Sequence, residues 1–221
     1  MSRRHAEEAI KNGRVKVNGL LVTQPGVQAD PNRDRIEVDG QLLQIPDTKT
    51  TVMLNKPRRV ITTKSDPEGR KTVMDLLPEN YQSLIPVGRL DFDSEGLLLL
   101  SNDGDLTLKL THPRYEIKKI YEITIPGSIT AELCQRLTTK LDLEDGPGRF
   151  DDLKILKETP THTHLQVTVL EGRNRFIRRM FETVGYNVER LKRIQIANLK
   201  LGQLAYGEYR VLTQKDLELL L

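Results

Sequence analysis

The longest uninterrupted apolar run in this sequence is only four residues long, from Leu97 to Leu100. A helix that crosses a membrane needs roughly 18 such residues, and no basic-then-apolar signal segment opens the chain. A run this short fits a buried strand. We therefore expect a cytoplasmic protein without a membrane partner, built from short elements around a core.

The single cysteine, Cys134, excludes an internal disulfide and a cysteine-rich zinc site. The four histidines offer no ligand spacing that would replace it. A length of 221 residues permits one domain of ordinary size, or a small domain joined to a larger one.

The beginning of the chain has the pattern of a small separate module. Ser2 suits a helix N-cap and Gly13 suits a stop, which predicts one short helix between them. The pairs Asn18-Gly19 and Asp39-Gly40 each follow an alternating segment and predict two type I′ hairpins. We assign residues 1–46 to this module, which is too small to bury a large core.

After a linker at residues 47–51, we predict a larger α+β domain over residues 52–221. Strands outnumber helices there, and short turns join several neighbours. This pattern favours a mixed, mainly antiparallel sheet flanked by helices over a doubly wound parallel sheet. Candidate helices cover residues 72–77, 105–111, 130–139 and 174–184, and candidate strands cover residues 52–54, 96–100, 119–125, 153–155 and 165–170.

The formal net charge is only +3, but basic side chains concentrate in two segments. Residues 2–18 hold five of them against two acidic ones, and residues 171–200 hold eight against three. Such clusters neutralise the phosphates of a nucleic acid backbone, although lysine and arginine also solvate plain exposed faces. Two clusters favour an RNA or DNA partner. The basic residues of the first segment are Arg3, Arg4, Lys11, Arg14 and Lys16.

A polar segment with three carboxylates, Gly88 to Gly96, lies between two apolar strands. Buried strands on both sides hold such a loop on a rigid frame, where catalytic groups tend to lie. Three interpretations stand at this point. The loop is an acid-centred catalytic loop, a polar turn without function, or a metal-binding pair made by Asp91 and Asp93.

A basic segment with an apolar stripe, residues 171–184, predicts a helix packed against the body. Arg178 and Arg179 fall on opposite borders of that stripe. An arginine there can pair with a partly buried carboxylate and keep it ionised, since a nearby positive charge lowers a carboxyl pKa. Periodicity does not choose between the two arginines, and a plain exposed basic face is the alternative.

Alternation in the strand after Lys118 puts Lys119, Tyr121 and Ile123 on one side. A tyrosine at such a position can stack on a base and exchange a proton. Half-buried packing without a chemical role is the other interpretation.

Taken in this order, the segments resemble the pseudouridine synthases of the RsuA/RluB type, which isomerise uridines in bacterial ribosomal RNA. Residues 2–19 resemble the S4 RNA-binding module that precedes the catalytic domain in most members. Five further motifs match, and the resemblance covers nearly the whole chain. They are Asn55-Lys56-Pro57, Gly88-Arg89-Leu90-Asp91 with Ser94 and Gly96, Lys119 with Tyr121, Glu171-Gly172-Arg173-Asn174-Arg175 to Met180, and Leu191-x-Arg193.

The resemblance implies a role for each site residue. Asp91 matches the family's essential aspartate, which attacks the ribose C1′ of a flipped uridine or removes a sugar proton. Tyr121 then lies against the base and accepts the C5 proton, while Arg178 pairs with Asp91. Leu191 is an apolar wall for the uracil. The other residues expected to bind substrate are Arg89, Lys56, Arg173 and Arg175.

The resemblance also implies that no metal, nucleotide or redox cofactor takes part, which weakens the metal-pair interpretation of Asp91 and Asp93. The partner is then ribosomal RNA or a ribosomal precursor particle, bound by a monomer. The basic residues of the S4-like segment are expected to bind RNA.

Three departures from the family pattern alter these expectations. The S4-like segment starts at what is usually the second helix, so we expect a domain without its first helix. Phe176 stands where the family usually has a polar residue, which predicts different packing on that side of the pocket. Arg58-Arg59 replaces a glycine-containing pair and adds charge near the expected RNA path.

The sequence therefore predicts an rRNA pseudouridine synthase, and details of residues 93–96 and 102–104 favour a uridine of 23S over 16S RNA. The alternative is a non-catalytic RNA-binding or ribosome-assembly protein that retains the fold. The joint presence of Asp91, Tyr121 and Arg178 argues against it, because binding alone does not require an acid in a basic groove. A metal-dependent transferase is a third class and requires activity that a chelator abolishes.

Overall fold

The structure, a computed structural model, describes residues 3–30, 33–43 and 48–221, without the side chains of Arg3 and Arg4. The chain divides into two compact units, residues 1–48 and 49–221. This division falls within the linker predicted at residues 47–51. The predicted N-cap Ser2, and the predicted end of the first domain and start of the linker at residues 46 and 47, lie outside the described residues.

A short helix and two hairpins make up the described part of the first unit. Asn18 and Gly19 have φ angles of 52° and 81°, and Asp39 and Gly40 have 54° and 77°. Positive φ at both central residues defines a type I′ turn, so both predicted hairpins are confirmed. The helix is α1 (Arg3–Lys11), and the antiparallel strands β1 (Val15–Val17), β2 (Leu20–Val22), β3 (Ile36–Val38) and β4 (Gln41–Leu42) lie in the order β2-β1-β3-β4.

A long mixed sheet forms the second unit. Its main path runs β11-β12-β8-β13-β7-β5-β15, with β6 paired to β7 and β14 paired to β13. The pair β7–β13 is parallel and the other pairs are antiparallel, so the predicted mixed, mainly antiparallel sheet is confirmed. The strands are β5 (Thr51–Lys56), β6 (Ile85–Val87), β7 (Glu95–Ser101), β8 (Lys119–Pro126), β9 (Leu141–Leu143), β10 (Gly146–Gly148), β11 (Asp152–Glu158), β12 (His162–Val169), β13 (Arg190–Ile196), β14 (Leu199–Lys200) and β15 (Tyr209–Val211), of which β9 and β10 form a separate hairpin.

Four α-helices flank this sheet: α2 (Gly104–Thr111), α3 (Ala131–Thr139), α4 (Phe176–Thr183) and α5 (Gln214–Glu218). The predictions at residues 105–111, 130–139 and 174–184 are confirmed. The prediction at residues 72–77 is wrong in type, because only a 3₁₀ helix forms, at Met74–Leu76. There the Asp75 carboxylate accepts bonds from the backbone N–H and hydroxyl of Thr72, which closes a local turn instead of an α-helical one.

The apolar run Leu97 to Leu100 lies at the centre of this unit, in β7, where every residue is buried. Leu98 and Leu100 belong to the core that also contains Met180 and Phe181 of α4. Leu97 and Leu99 belong to a second core on the opposite face, with residues of β14 and the C-terminal segment. A strand covered on both faces needs a continuous apolar run, which explains this one. No helix among the described residues is long and apolar enough to cross a membrane.

Candidate active site

A cavity of about 390 Å³ lies within the second unit, on the side of the sheet where β8 and β13 meet the segment before α4. This volume falls in the range of sites that hold one small molecule, roughly 300–1,000 Å³. Six predicted site residues line it together: Arg89, Asp91, Tyr121, Arg173, Arg175 and Leu191. Lys119 and Arg193, which belong to the matched motifs but have no predicted role, line it as well.

The Asp91 loop is fixed through its backbone. Five consecutive carbonyl oxygens, those of residues 90–94, all accept hydrogen bonds, so the loop has little freedom to move. The donors along the loop are Thr62 Oγ1 to Leu90 at 2.7 Å, Lys56 Nζ and Ser94 N to Asp91 at 3.0 Å each, Arg59 N to Phe92 at 2.7 Å, Arg178 Nη2 to Asp93 at 3.3 Å, and Lys56 Nζ to Ser94 at 2.8 Å.

The Asp91 carboxylate is half-buried and lines the cavity. Among the described residues, no hydrogen bond or ion pair engages its oxygens. Asp93, by contrast, is exposed and does not line the cavity. No group of three or more His, Cys, Asp or Glu in the described parts of the chain is arranged to hold a metal ion. The geometry therefore favours a single acid over a metal pair.

Lys56 lies behind this loop and not on the cavity wall. Its side chain has no exposed surface, and Nζ donates to the carbonyl oxygens of Pro57, Asp91 and Ser94. Burial lowers the pKa of Lys56 to about 8, although the carboxylates of Asp91, Asp93 and Glu95 oppose this shift. The prediction that Lys56 binds substrate is thus corrected, because a fully buried side chain can act on substrate only by positioning the loop.

Arg178 also braces the loop from behind. It is 7% exposed and donates to the carbonyl oxygens of Val188 at 2.6 Å and Asp93 at 3.3 Å. No ion pair joins it to Asp91 among the described residues, so the direct pairing that the resemblance implies stays a prediction. Burial lowers the pKa of Arg178, and the neighbouring charge of Arg175 lowers it further, whereas the charges of Asp91 and Asp93 raise it. The charge of Arg178 therefore interacts with that of Asp91, and its side chain holds the loop through the carbonyl oxygen of Asp93.

Strand β8 presents Lys119 and Tyr121 to the cavity, while Ile123, on the same face, lies in the core. The predicted alternation is therefore confirmed. Tyr121 is 8% exposed, and its hydroxyl lies 3.4 Å from Arg193 Nη1. Lys119 donates to the carbonyl oxygen of Ile117 at 3.0 Å. Burial lowers the pKa of Lys119 to about 8, and the charge of Arg193 contributes.

The two predicted arginines before α4 differ in how much of their bonding capacity is engaged. Arg173 pairs with Glu171 and Asp145 and donates to the carbonyl oxygens of two residues of β10. Arg175 is exposed, has a φ of 49° where α4 begins, and pairs with Glu182. Arg173 thus shapes the cavity wall, whereas Arg175 has donors left for a ligand.

Phe176, expected to alter the packing of the pocket, is buried and lines the cavity. Its ring packs edge-on against Phe150, with centroids 6.1 Å apart, and the Arg173 guanidinium lies 4.9 Å from its centroid. The cavity wall is therefore apolar at this position, where the family pattern led us to expect a polar side chain. Arg89, an exposed residue that also lines the cavity, makes no hydrogen bond or ion pair within the described ranges.

In the first unit, Lys11 and Lys16 are exposed, as an RNA-binding role requires. Arg14 is engaged with the Asp39 carboxylate through two hydrogen bonds, the longer of them 2.7 Å. The side chains of Arg3 and Arg4 lie outside the described residues.

Fold and site together define a small RNA-binding module joined to an enzyme with one acid in a basic cavity. The family model of RNA pseudouridylate synthases matches residues 50–183, and that of S4 domains matches residues 2–34. The chain is 43% identical to the ribosomal large subunit pseudouridine synthase B of Bacillus subtilis over 220 residues, covering 98% of this chain and 89% of that one. It is 41% identical to an uncharacterized RNA pseudouridine synthase of Aquifex aeolicus over 217 residues, covering 98% and 87%.

Among solved structures, a crystal structure of a pseudouridylate synthase superposes with a TM-score of 0.75 at 30% identity, covering 100% of this chain and 94% of that one. The chain belongs to the RNA pseudouridine synthase family and carries an S4 domain at its N-terminus.

Proposed function

We propose that this protein isomerises one uridine of ribosomal RNA to pseudouridine, in 23S rather than 16S RNA, with Asp91 as the reacting acid. The observation that carries the proposal is the Asp91 carboxylate itself. It lies on a loop whose backbone carbonyls are all bonded, faces a cavity sized for one nucleotide, and has no protein partner among the described residues. A preorganised, unengaged acid is what attack on a sugar requires.

The choice of ribosomal RNA rests on the relatives. The Bacillus subtilis protein, and one from Pseudomonas aeruginosa that is 39% identical over 226 residues, are both named ribosomal large subunit pseudouridine synthase B. The exposed Lys11 and Lys16 of the S4 domain and the exposed Arg89 and Arg175 of the cavity wall suit a polyanionic substrate.

The cavity admits a nucleotide only after it leaves its stack, and this costs a few kcal/mol. Asp91 then attacks C1′ or removes a sugar proton, and the C1′–N1 bond breaks. The uracil turns within the cavity and forms a bond from C5 to C1′, and in the same step the bond from Asp91 to C1′ breaks, or the sugar proton is returned. C5 then loses a proton to Tyr121 and N1 gains one. The product is an isomer of the substrate with no net oxidation or reduction, so the reaction needs no external oxidant or reductant.

Lys56 and Arg178 serve this chemistry from behind the loop. Both donate to its carbonyls, and the positive charge of each interacts with Asp91. Leu191 and Tyr121 supply an apolar wall and an aromatic ring for the base.

The test is reconstitution with unmodified RNA. Purified protein, in buffer containing a chelator, should form pseudouridine at one uridine of 23S RNA and leave 16S RNA unchanged. Pseudouridine mapping in cells that lack the gene should show loss of the same modification. Formation only in 16S RNA, or only with added metal, would overturn the corresponding part of the proposal.

We further propose that the enzyme acts as a monomer in the cytoplasm. Support for the monomer is that one chain supplies the acid, the aromatic ring and the basic wall of the cavity. Light scattering at working concentration should give a mass near the 25.3 kDa of one chain, and a dimer mass would contradict this part. A fluorescent fusion should distribute through the cytoplasm, and enrichment at the membrane would contradict the location.

A further inference from the structure

Arg193 is a cationic cavity residue that the proposed mechanism does not use. It lies in β13, is 3% exposed, and lines the cavity with Asp91 and Tyr121. Nε donates to the carbonyl oxygen of Leu97 at 2.7 Å, and Nη1 lies 3.4 Å from the Tyr121 hydroxyl. Nη2 is buried and has no hydrogen-bond partner in the described structure. One charged donor in the wall of the site therefore has no protein partner.

Arg193 also has no ion-pair partner in the described parts of the chain. Its charge instead adds to that of Lys56 and Lys119 and helps to lower the pKa of both to about 8. A desolvated cation without a counter-charge favours a ligand oxygen that carries negative charge.

The position of Arg193 points to the base rather than to the RNA backbone. In the β13–β8 register, Arg193 lies opposite Tyr121 and Leu191 lies opposite Ile123. Tyr121 and Leu191, the ring and the apolar wall expected to pack against uracil, thus lie beside Arg193 on one face of the sheet. The exposed arginines 89 and 175 are more accessible to phosphates than a side chain that is 3% exposed.

We propose that Arg193 binds a carbonyl oxygen of the target uracil through Nη2 and stabilises the negative charge that the base acquires during the reaction. This inference rests on the proposed function. When the C1′–N1 bond breaks, its electron pair stays with the base, and the charge spreads over the ring nitrogens and carbonyl oxygens. When C5 bonds to C1′, gives up its proton, and N1 gains one, the charge disappears. A hydrogen-bond donor that is held in place in a site with little water stabilises the base most strongly while the base is negatively charged.

The test compares protein variants and substrate analogues in a kinetic cycle. The RNA carries uridine, 2-thiouridine or 4-thiouridine at the target position, since sulfur is a weaker acceptor than oxygen. The protein is wild type, Arg193→Gln or Arg193→Lys, and single-turnover rates are measured. Lys192→Gln is the matched control, because Lys192 is the neighbouring β13 residue, does not line this cavity, and contacts the Tyr206 ring instead.

We expect wild type to lose about 10- to 100-fold in rate with one of the two thio substrates, the range for a charged hydrogen bond. With uridine RNA, the Arg193→Gln variant should be slower than wild type by a similar factor. With that thio substrate, the variant should be no slower than it is with uridine. Arg193→Lys keeps the charge without the second donor and should fall between the two. Lys192→Gln should behave as wild type on all three RNAs.

The inference would be overturned if the Arg193 variants and both thio substitutions slowed the reaction independently, so that the loss in rate for each combination equalled the product of the two separate losses. So would a wild-type enzyme that is indifferent to both substitutions, a result that does not depend on how any variant folds. An equal loss of RNA affinity for every base analogue in Arg193→Gln would instead indicate a phosphate or ribose contact and overturn the assignment to the base. If wild type forms no pseudouridine in any rRNA, the proposed function fails, which the uridine control reveals separately.

Discussion

The buried ammonium of Lys56 donates to the backbone carbonyl oxygen of Asp91 at 3.0 Å. The two residues lie 35 positions apart, and the bond joins the end of β5 to the loop that carries the acid. The same ammonium also bonds the carbonyl of Ser94. One charged group thus fixes both sides of the turn that presents the Asp91 carboxylate to the cavity.

Replacing Lys56 by Met should therefore impair the chemical step more than RNA binding. Three carbonyls lose their donor, which should lower the free energy of unfolding by about 1–3 kcal/mol, and the displaced carboxylate should slow single-turnover pseudouridine formation at least 100-fold. Lys64→Met is the control, because the Lys64 side chain is exposed and its hydrogen bond from Nζ to the carbonyl oxygen of Ser83 is long, at 3.4 Å. Wild-type rates in Lys56→Met would contradict the bracing role.

Lys119→Met should make stability depend less on pH between about pH 8 and pH 10.5. The pKa of Lys119 is near 8 when folded and 10.5 when unfolded, so over this window the unfolded state binds more protons. The contribution of Lys119 to the free energy of unfolding of wild type therefore rises with pH over this window. Below pH 8 Lys119 is charged in both states, and burial of that charge disfavours folding. In urea titrations, the variant should exceed wild type by about 1–2 kcal/mol at pH 7, allowing for solvent that reaches Lys119, and by less at pH 10. An advantage that grows with pH would reverse the sign and contradict this account.

Gly96→Ala should disrupt the parallel pairing of β7 with β13 beside the active site. A Cβ at Gly96 would lie 2.2 Å from the carbonyl oxygen of Arg193, and its φ is +102°. Gly146→Ala is a matched control, since Gly146 has φ +108° but nothing within 4 Å of a built Cβ. We expect the Gly96 variant to lose about 3 kcal/mol more in free energy of unfolding than the control. Equal losses would show that only backbone strain matters.

Lys11→Gln and Lys16→Gln should each weaken RNA binding without changing the single-turnover rate at saturating enzyme. Each exposed lysine that neutralises a phosphate should reduce the slope of log affinity against log salt by about 1. Lys215→Gln, an exposed lysine in α5, should leave the slope unchanged. An unchanged slope in both S4-domain variants would show that these lysines do not contact RNA.

The sequence predicted well those features that local chemistry determines. Asn18-Gly19 forms a type I′ turn because both residues tolerate positive φ, and Leu97 to Leu100 forms a buried strand. The apolar stripe of α4 identified its packed face. The resemblance, and not periodicity, selected Arg178 over Arg179, and the structure buries Arg178 behind the Asp91 loop while Arg179 pairs with Asp145.

Other features depended on contacts between distant segments. Strand β13 was not predicted, because a register shift between Arg193 and Gln195 interrupts its alternation and a buried position carries arginine. The resemblance assigned Lys56 to substrate binding and Arg178 to pairing with Asp91. Only the fold shows that their donors meet backbone carbonyls.

Pseudouridine formation by Asp91→Asn tests the central claim most directly. The exchange keeps the size of the side chain and removes its charge, and the loop is fixed through backbone bonds that it leaves intact. Wild type should convert one uridine of unmodified rRNA, whereas Asp91→Asn should form no pseudouridine while it binds the same RNA with wild-type affinity and unfolds at the same urea concentration. Conversion by Asp91→Asn at the wild-type rate would contradict the account.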